Sequence, residues 1–454
     1  MRLLFDQGTL VLAEAPDISL DFVPGLIWDP RVALYRAPAH YYGEVVDALR
    51  ERGIAFRDDL AFQLGATTGS WSSRELRPYQ HAALLSWELA QRRGILVMPT
   101  GSGKTRVAIA AMSRTRSPTL CVVPTRALLE QWLLELRAAQ PGPVGRLGDG
   151  HCEYGTITVA TFESAYRHIS RIGANFELLV VDEVHHFGNA ARDEILQLCC
   201  ARHRLGLTAT PPDRRTLARL DQLIGPVCFQ LRVADLAGTW LADFDRVVLR
   251  VPLARDERER YGRDRSLFGE VSRAFWSLHP GARWSDFVAA ATRTREGRAA
   301  LAAWRRNRSL SGFTRAKASA LRELLARHRD SRVLVFTADN DAAYAIARSE
   351  LIMPITCETA RVERERALRA FREGELQALV SARVLNEGID VPAADVAIIV
   401  GSAQGEREYV QRIGRLLRPA PGKRATVYEL VSVGTDEVQR ARRRGRGLAA
   451  DRVV

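Results

Sequence analysis

The stretch Val97-Met98-Pro99-Thr100-Gly101-Ser102-Gly103-Lys104-Thr105 constrains this chain more than any other. The apolar run Gly94-Ile95-Leu96-Val97 leads into it, as a buried strand would, and a helix-compatible run from Arg106 to Met112 leads out. A glycine-rich turn ending in Gly-Lys-Thr, set between a strand and a helix, is what a phosphate-binding loop needs. Glycines let the backbone curl until its N–H groups point at the phosphates. The helix N-terminus adds partial positive charge behind them. Thr100, Gly101, Ser102 and Gly103 then line the phosphates, Lys104 reaches the β/γ-phosphates, and the Thr105 hydroxyl ligates Mg²⁺. The usual pattern opens with Gly or Ala where this chain has Met98. The alternative is a plain glycine turn between a core strand and a core helix. The chain has only three lysines, Lys104, Lys317 and Lys423. A lysine placed in this loop, where arginine otherwise carries the basic charge, argues against the plain turn.

The formal net charge of +13 points to a polyanionic partner, either nucleic acid or an anionic membrane face. No run of apolar residues is long enough for a transmembrane helix. The N-terminus reaches Asp6 too soon for a signal peptide. Nucleic acid is therefore the expected partner, with no membrane, and the expected location is cytoplasmic. Six cysteines occur without a CxxC pair, which fits a reduced protein with buried thiols rather than a metal site.

At 454 residues the length suggests about three domains. Residues 1–70 read as a small α+β domain and linker. Leu10 to Ala13 and Arg31 to Tyr35 are its expected strands, and Tyr41 to Gly53 its amphipathic helix, with Val45, Val46 and Leu49 on one face. Gly65 to Ser70 is a linker by composition. Residues 71–235 alternate apolar strands with helices, as do residues 236–454 outside an insertion at 254–308. Continuous apolar strands separated by helices argue parallel sheets in two α/β domains. The insertion alternates Arg, Glu and Asp with Trp, Phe and Leu and reads as helical. The basic run Arg440 to Arg446 is expected to be a mobile tail.

Two further stretches carry chemistry. In Val180-Val181-Asp182-Glu183-Val184-His185-His186 an apolar strand ends in two adjacent carboxylates. At the carboxyl end of a parallel strand such side chains face the phosphate crevice. Asp182 would hold Mg²⁺, and Glu183 would position and deprotonate an attacking water. In Gln411-Arg412-Ile413-Gly414-Arg415-Leu416-Leu417-Arg418-Pro419 two arginines stand three apart, on one helix face. They are placed to act as arginine fingers on a γ-phosphate.

Together with Gly206-Leu207-Thr208-Ala209-Thr210, these motifs resemble those of superfamily 2 helicases, and most closely the archaeal-type XPB DNA repair helicases. Leu76-Arg77-Pro78-Tyr79-Gln80, Leu385-Asn386-Glu387-Gly388-Ile389-Asp390-Val391-Pro392 and Arg407-Glu408-Tyr409-Val410-Gln411-Arg412 extend the match. The resemblance implies two RecA-like domains that hydrolyse ATP between them, DNA as partner, 3′-to-5′ movement and a role in repair. It implies that Gln80 and Arg77 recognise adenine, and that Thr208 and Thr210 couple hydrolysis to movement. Gln411 joins Arg415 and Arg418 at the γ-phosphate, and Gly388 and Asp390 lie at the cleft edge. Thr125, Arg126 and Thr161 match segments that hold the sugar–phosphate backbone. The N-terminal domain is similar to the family's damage-recognition domain, and the insertion resembles its thumb. A partner nuclease and a monomeric motor are likewise implied.

The family carries an Arg-Glu-Asp triplet after the Thr-Ala-Thr segment, where this chain reads Pro211-Pro212-Asp213-Arg214-Arg215. Duplex translocation without unwinding, or an ATP-gated DNA clamp, are therefore the alternatives. An RNA remodeller of the DEAD-box kind fits less well: Asp182-Glu183-Val184-His185 stands for Asp-Glu-Ala-Asp, and Thr-Ala-Thr for Ser-Ala-Thr.

Overall fold

The computed structural model describes residues 1–14, 19–60, 67, 69–72, 75–140, 142–190, 192–236, 243–382, 394–401, 424–445 and 451–453. The chain divides into two compact units, Met1–Leu231 and Arg232–Val454.

The first unit opens with a five-stranded sheet. Its strands are β1 (Arg2–Asp6), β2 (Thr9–Ala13), β3 (Ile27–Asp29), β4 (Leu34–Pro38) and β5 (Arg57–Asp58), in the order β3-β4-β2-β1-β5. Helix α1 (Tyr42–Glu51) covers one face and buries Val45, Val46 and Leu49, as its spacing predicts. The expected strand at 31–35 is displaced: residues 30–33 form a turn and the strand is β4. Asp29 sets the turn, because its carboxylate accepts the Arg31 backbone N–H at 3.1 Å and its carbonyl accepts that of Val32 at 3.3 Å.

A second sheet follows, built from β6 (Arg93–Val97), β7 (Thr119–Val123), β8 (Val144–Gly148), β9 (His151–Cys152), β10 (Ile157–Thr161), β11 (Leu178–Val181), β12 (His203–Thr208) and β13 (Val227–Gln230). The order is β13-β6-β12-β11-β7-β10-β8-β9, parallel except for the β8–β9 hairpin. Its central strands are apolar throughout because both faces are covered. Leu96, Cys121, Val180 and Leu205 enter one core, and Ile95, Val122, Leu179 and Val181 the other. The first core is roofed by α2 (Pro78–Leu89), α3 (Lys104–Thr115) and α4 (Arg126–Ala139). The second lies under α5 (Phe162–Ile172), α6 (Glu194–Gln197) and α7 (Arg214–Leu223). The small sheet docks onto this domain: its core includes Cys200, and Arg93 and Arg202 pair with Glu44 and Asp47, each at 2.8 Å.

The second unit begins at α8 (Val233–Leu236). A long strand, β14 (Asp243–Val251), leads into three helices, α9 (Arg255–Leu278), α10 (Trp284–Ala291) and α11 (Arg295–Gly312). These are the expected helical insertion, gathered around Phe287 and Leu301 with Phe268, Phe275 and Trp276. Helices α12 (Arg315–Arg327), α13 (Asn340–Glu350) and α14 (Arg361–Glu373) alternate with β15 (Val333–Phe336), β16 (Met353–Ile355), β17 (Ala378–Ser381), β18 (Val396–Ile399) and β19 (Arg424–Ser432). The sheet, ordered β16-β17-β15-β18-β19-β14-β20 with β20 (Asp451–Val453), is parallel throughout the described residues. Of the basic run expected to be a mobile tail, Arg446 lies outside the described residues, and residues 440–445 instead belong to helix α15 (Glu437–Gly445). Its Ala441 is buried, and the Ala441 carbonyl accepts Arg246 Nη2 at 3.1 Å.

Candidate nucleotide site

The phosphate-loop residues sit where strand β6 ends and helix α3 begins. Gly101 and Gly103 adopt positive φ, of 83° and 81°. A side chain at Gly103 would also lie 2.4 Å from Gln80 Nε2, so this position has room for glycine only. Met98, where small residues are usual, is buried and packs into the core under α2, α3 and α4. The loop is held from the side. Ser102 Oγ donates to the Pro99 carbonyl at 2.6 Å. The Ser102 carbonyl accepts Gln80 Nε2 at 2.7 Å and the Tyr79 hydroxyl at 2.9 Å. Gln80 Oε1 in turn accepts the Arg77 backbone N–H at 2.9 Å, and Arg77 Nη1 lies 3.3 Å from the Tyr79 oxygen. Lys104 Nζ donates to the Met98 and Pro99 carbonyls at 3.1 and 3.4 Å.

Strand β12 lies next to β6 in the sheet and β11 next to β12, so their carboxyl ends open on the side of the loop. Asp182 and Glu183 follow β11. Asp182 is buried, its Oδ1 accepting the Glu183 N–H and its Oδ2 the Trp132 indole N–H, both at 2.9 Å. Glu183 has φ of 50°, a left-handed backbone uncommon for this residue type. Such conformations cluster where a side chain must be aimed for function. Glu183 Oε2 faces His185 Nδ1 at 3.2 Å, and the same nitrogen lies 3.2 Å from Thr208 Oγ1. Thr208 donates to the Thr210 carbonyl at 2.9 Å, and its own carbonyl accepts the Met98 N–H at 2.9 Å.

Electrostatics separate the two carboxylates. Burial, then the charge on Glu183, raises the Asp182 pKa to about 6. Burial acts in the same direction on Glu183, but the hydrogen bond from His185 and the positive charges of Lys104, His185 and His186 bring it below the ordinary value. A carboxylate kept ionised at neutral pH can accept a proton. The donor set also suits a hard cation. The Thr105 hydroxyl and the Asp182 carboxylate are oxygen ligands of the kind Mg²⁺ takes, usually one or two from protein with the rest from phosphates and water. Each Asp182 oxygen accepts one of these hydrogen bonds and has a further lone pair to offer. Among the described residues no cluster of three or more His, Cys, Asp or Glu could hold a metal.

The structure thus brings Thr100 to Thr105, Arg77, Gln80, Asp182, Glu183, Thr208 and Thr210 into one region. Thr125 and Thr161 stand at other strand ends of the same sheet, where they cap α4 and α5 by accepting the Leu128 and Ser164 N–H groups, each at 3.2 Å. Arg126 begins α4 and pairs with Asp149 at 2.9 Å. Gly388, Asp390, Gln411, Arg415 and Arg418 lie outside the described residues. Sequence reasoning missed Tyr79 and Trp132. Tyr79 adjoins Gln80 in a matched motif, which could have drawn attention to it. Trp132 sits on an apolar helix face and carries no such signal.

Three segments match known families. Residues 73–213 match the type III restriction enzyme res subunit, and residues 316–420 the helicase conserved C-terminal domain. Residues 3–60 match the xeroderma pigmentosum group B helicase damage recognition domain. The chain is 35% identical to the DNA 3′-5′ translocase XPB2 of Sulfurisphaera tokodaii over 96% of its own length and 98% of that protein's. The chain belongs to the XPB family. This XPB-family chain is also 30% identical to the DNA 3′-5′ helicase XPB of Mycobacterium tuberculosis, over 83% of its own length and 64% of that protein's. The Pyrococcus furiosus Hef helicase domain shares its fold, with a TM-score of 0.53 at 19% identity over 80% of this chain and 96% of that one. The two helicase domains of the XPB-family chain imply nucleotide use. No described helix is long and apolar enough to cross a membrane.

Proposed function

We propose that this chain hydrolyses ATP to drive itself along DNA, 3′-to-5′, in DNA repair. The observation that carries the proposal is the grouping of Lys104, Asp182, Glu183 and Thr208 at the ends of three neighbouring strands. The names of the two XPB relatives support the polymer and the polarity. The loop from Thr100 to Thr105 holds the triphosphate on its backbone N–H groups and on Lys104. Arg77 and Gln80 recognise the base, and Gln80 ties that recognition to the loop through Ser102. Thr105 and Asp182 would hold Mg²⁺, which when bound offsets negative charge on the phosphate oxygens. Glu183 orients the attacking water and accepts its proton. Thr208, bonded to both His185 and Thr210, couples the carboxylates to the segment that follows β12. By motif resemblance alone, Gln411, Arg415 and Arg418 act on the γ-phosphate, and Gly388 and Asp390 serve ATP binding at the cleft edge. Thr125, Arg126 and Thr161 hold the DNA backbone. The motor is a cytoplasmic monomer and, by the same resemblance, works with a partner nuclease.

A second reading, translocation on duplex DNA without unwinding, is favoured by Asp213. Its carboxylate caps α7, accepting the Arg215 and Thr216 N–H groups at 3.0 Å. Hydrogen bonds from Thr216 hold its pKa below the ordinary value. A carboxylate used as a helix cap is not presented as a strand-opening device. Triplex displacement and strand separation on the same DNA decide between the two. ATP-dependent triplex displacement is expected in either case, and strand separation only for an unwinder. Failure of both in the presence of ATP would contradict a motor.

A further inference from the structure

Arg126, at the start of α4, is 74% exposed, yet its guanidinium is engaged: Nη1 lies 2.9 Å from Asp149 Oδ1. Arg146 approaches the other Asp149 oxygen at 3.2 Å while also pairing with Glu130 at 2.5 Å. Asp149 stands at the tip of the β8–β9 hairpin, where Gly148 opposes His151. Two residues, Asp149 and Gly150, make the turn, with φ of 55° and 83°. Positive φ at both positions, filled by Asp-Gly, marks a type I′ turn. The hairpin also touches the second expected backbone contact. A Cβ at Gly148, whose φ is 139°, would lie 3.1 Å from Thr161 Cγ2 and 3.2 Å from Ser164 Oγ. One short turn therefore sits against both Arg126 and Thr161, which sequence alone had left unconnected.

We propose that Asp149 is a built-in competitor for the DNA phosphate: its carboxylate occupies the Arg126 guanidinium and is displaced when a phosphate binds. This rests on the assignment of Arg126 as a backbone contact. Carboxylate and phosphate oxygens present the same acceptor to an arginine. An Arg126–phosphate contact must break the exposed pair with Asp149, which lowers affinity by a modest factor. It also lowers the salt dependence. A phosphate neutralised by Arg126 releases condensed cations. The Asp149 carboxylate, left with Arg146 alone beside it, attracts a cation back in part. Asp149 thus weakens DNA grip at low salt more than at high salt, which favours a motor that must release each phosphate to advance.

The full chain tests this with fluorescence anisotropy on a labelled DNA duplex across a salt series, for Asp149→Asn, Arg126→Ala and the double variant. Asn-Gly favours the same turn, so Asp149→Asn removes the charge and keeps the hairpin. Asp149→Gly, which the turn also accepts, is the second neutral variant. Both should bind duplex roughly two- to fivefold more tightly at low salt. Their log–log salt slope should steepen by up to about 0.9. Arg126→Ala should weaken binding, and the gain from Asp149→Asn should vanish in its background. Unchanged or weaker binding in both neutral variants, with Arg126→Ala weakened, would overturn the competitor and leave the Arg126 contact standing. A gain that survives in the Arg126→Ala background would also overturn it. No loss in Arg126→Ala would contradict the backbone contact itself, and the competitor with it.

Discussion

The Trp132 indole N–H donates to Asp182 Oδ2 at 2.9 Å, across 50 residues of chain, and both side chains are buried. A helix packed on the sheet thereby fixes the direction of the carboxylate assigned to the metal. Trp132→Phe keeps most of the packing and removes the donor. It should lower turnover about tenfold, and stability by about 1–2 kcal/mol. Steady-state hydrolysis and urea unfolding check this. Lower stability with normal turnover would make Trp132 a packing residue only.

Tyr79 and Gln80 both donate to the Ser102 carbonyl. Tyr79→Phe removes one of these bonds without touching a proposed reacting group. The ATP KM should rise roughly two- to tenfold, with kcat nearly unchanged. A fall in kcat at constant KM would mean that Tyr79 acts on the chemical step rather than on the loop.

His40 lies where the small N-terminal sheet meets the larger domain, its Nδ1 3.4 Å from the Gln197 carbonyl. Burial pushes its pKa down to about 4, helped by the charges of Arg204, Arg93 and Arg219, while the Gln197 contact works the other way. The unfolded chain takes up a proton near pH 6.5, before the folded one does. The cost of keeping His40 neutral is thus absent above about pH 6.5 and grows as pH falls to about 4. Relative to His40→Gln, the native chain should lose about 3 kcal/mol over that window. Urea unfolding of the two chains at several pH values checks this, and parallel curves would contradict it.

Lys317 is fully buried, and its ammonium lies 2.8 and 2.9 Å from the two Glu437 oxygens and 2.7 Å from the Ser311 carbonyl. Lys317→Met leaves the Glu437 charge buried without its partner and should cost about 3–5 kcal/mol. Lys317→Met combined with Glu437→Leu should cost much less, since both charges go together. Equal losses in the two variants would show that packing, not charge, dominates here.

The parallel-sheet domains were legible in sequence because their central strands are apolar on both faces. Val180 and Val181, pointing to opposite cores, make the run continuous. Val144–Gly148 was not legible, because two glycines and an arginine interrupt its pattern, and Val227–Gln230, at the sheet edge, was not, because four residues are too short a run to stand out. The basic run from Arg440 reads as a mobile tail because its arginines hide the apolar contacts of Val438 and Ala441, which dock the helix on the sheet. The phosphate loop and the paired carboxylates were legible because backbone geometry and strand ends fix them locally. Trp132 and Asp149 were not, since each acts on a residue brought near only by folding.

The most direct test of the central claim is ATP hydrolysis by the full chain and by Glu183→Gln, with and without duplex DNA, alongside nucleotide binding. The native chain should hydrolyse ATP faster when DNA is added. Glu183→Gln should bind nucleotide as well as the native chain and lose at least about 100-fold in turnover under both conditions. Turnover in Glu183→Gln close to that of the native chain would contradict the assignment of this carboxylate, and with it the account of the motor.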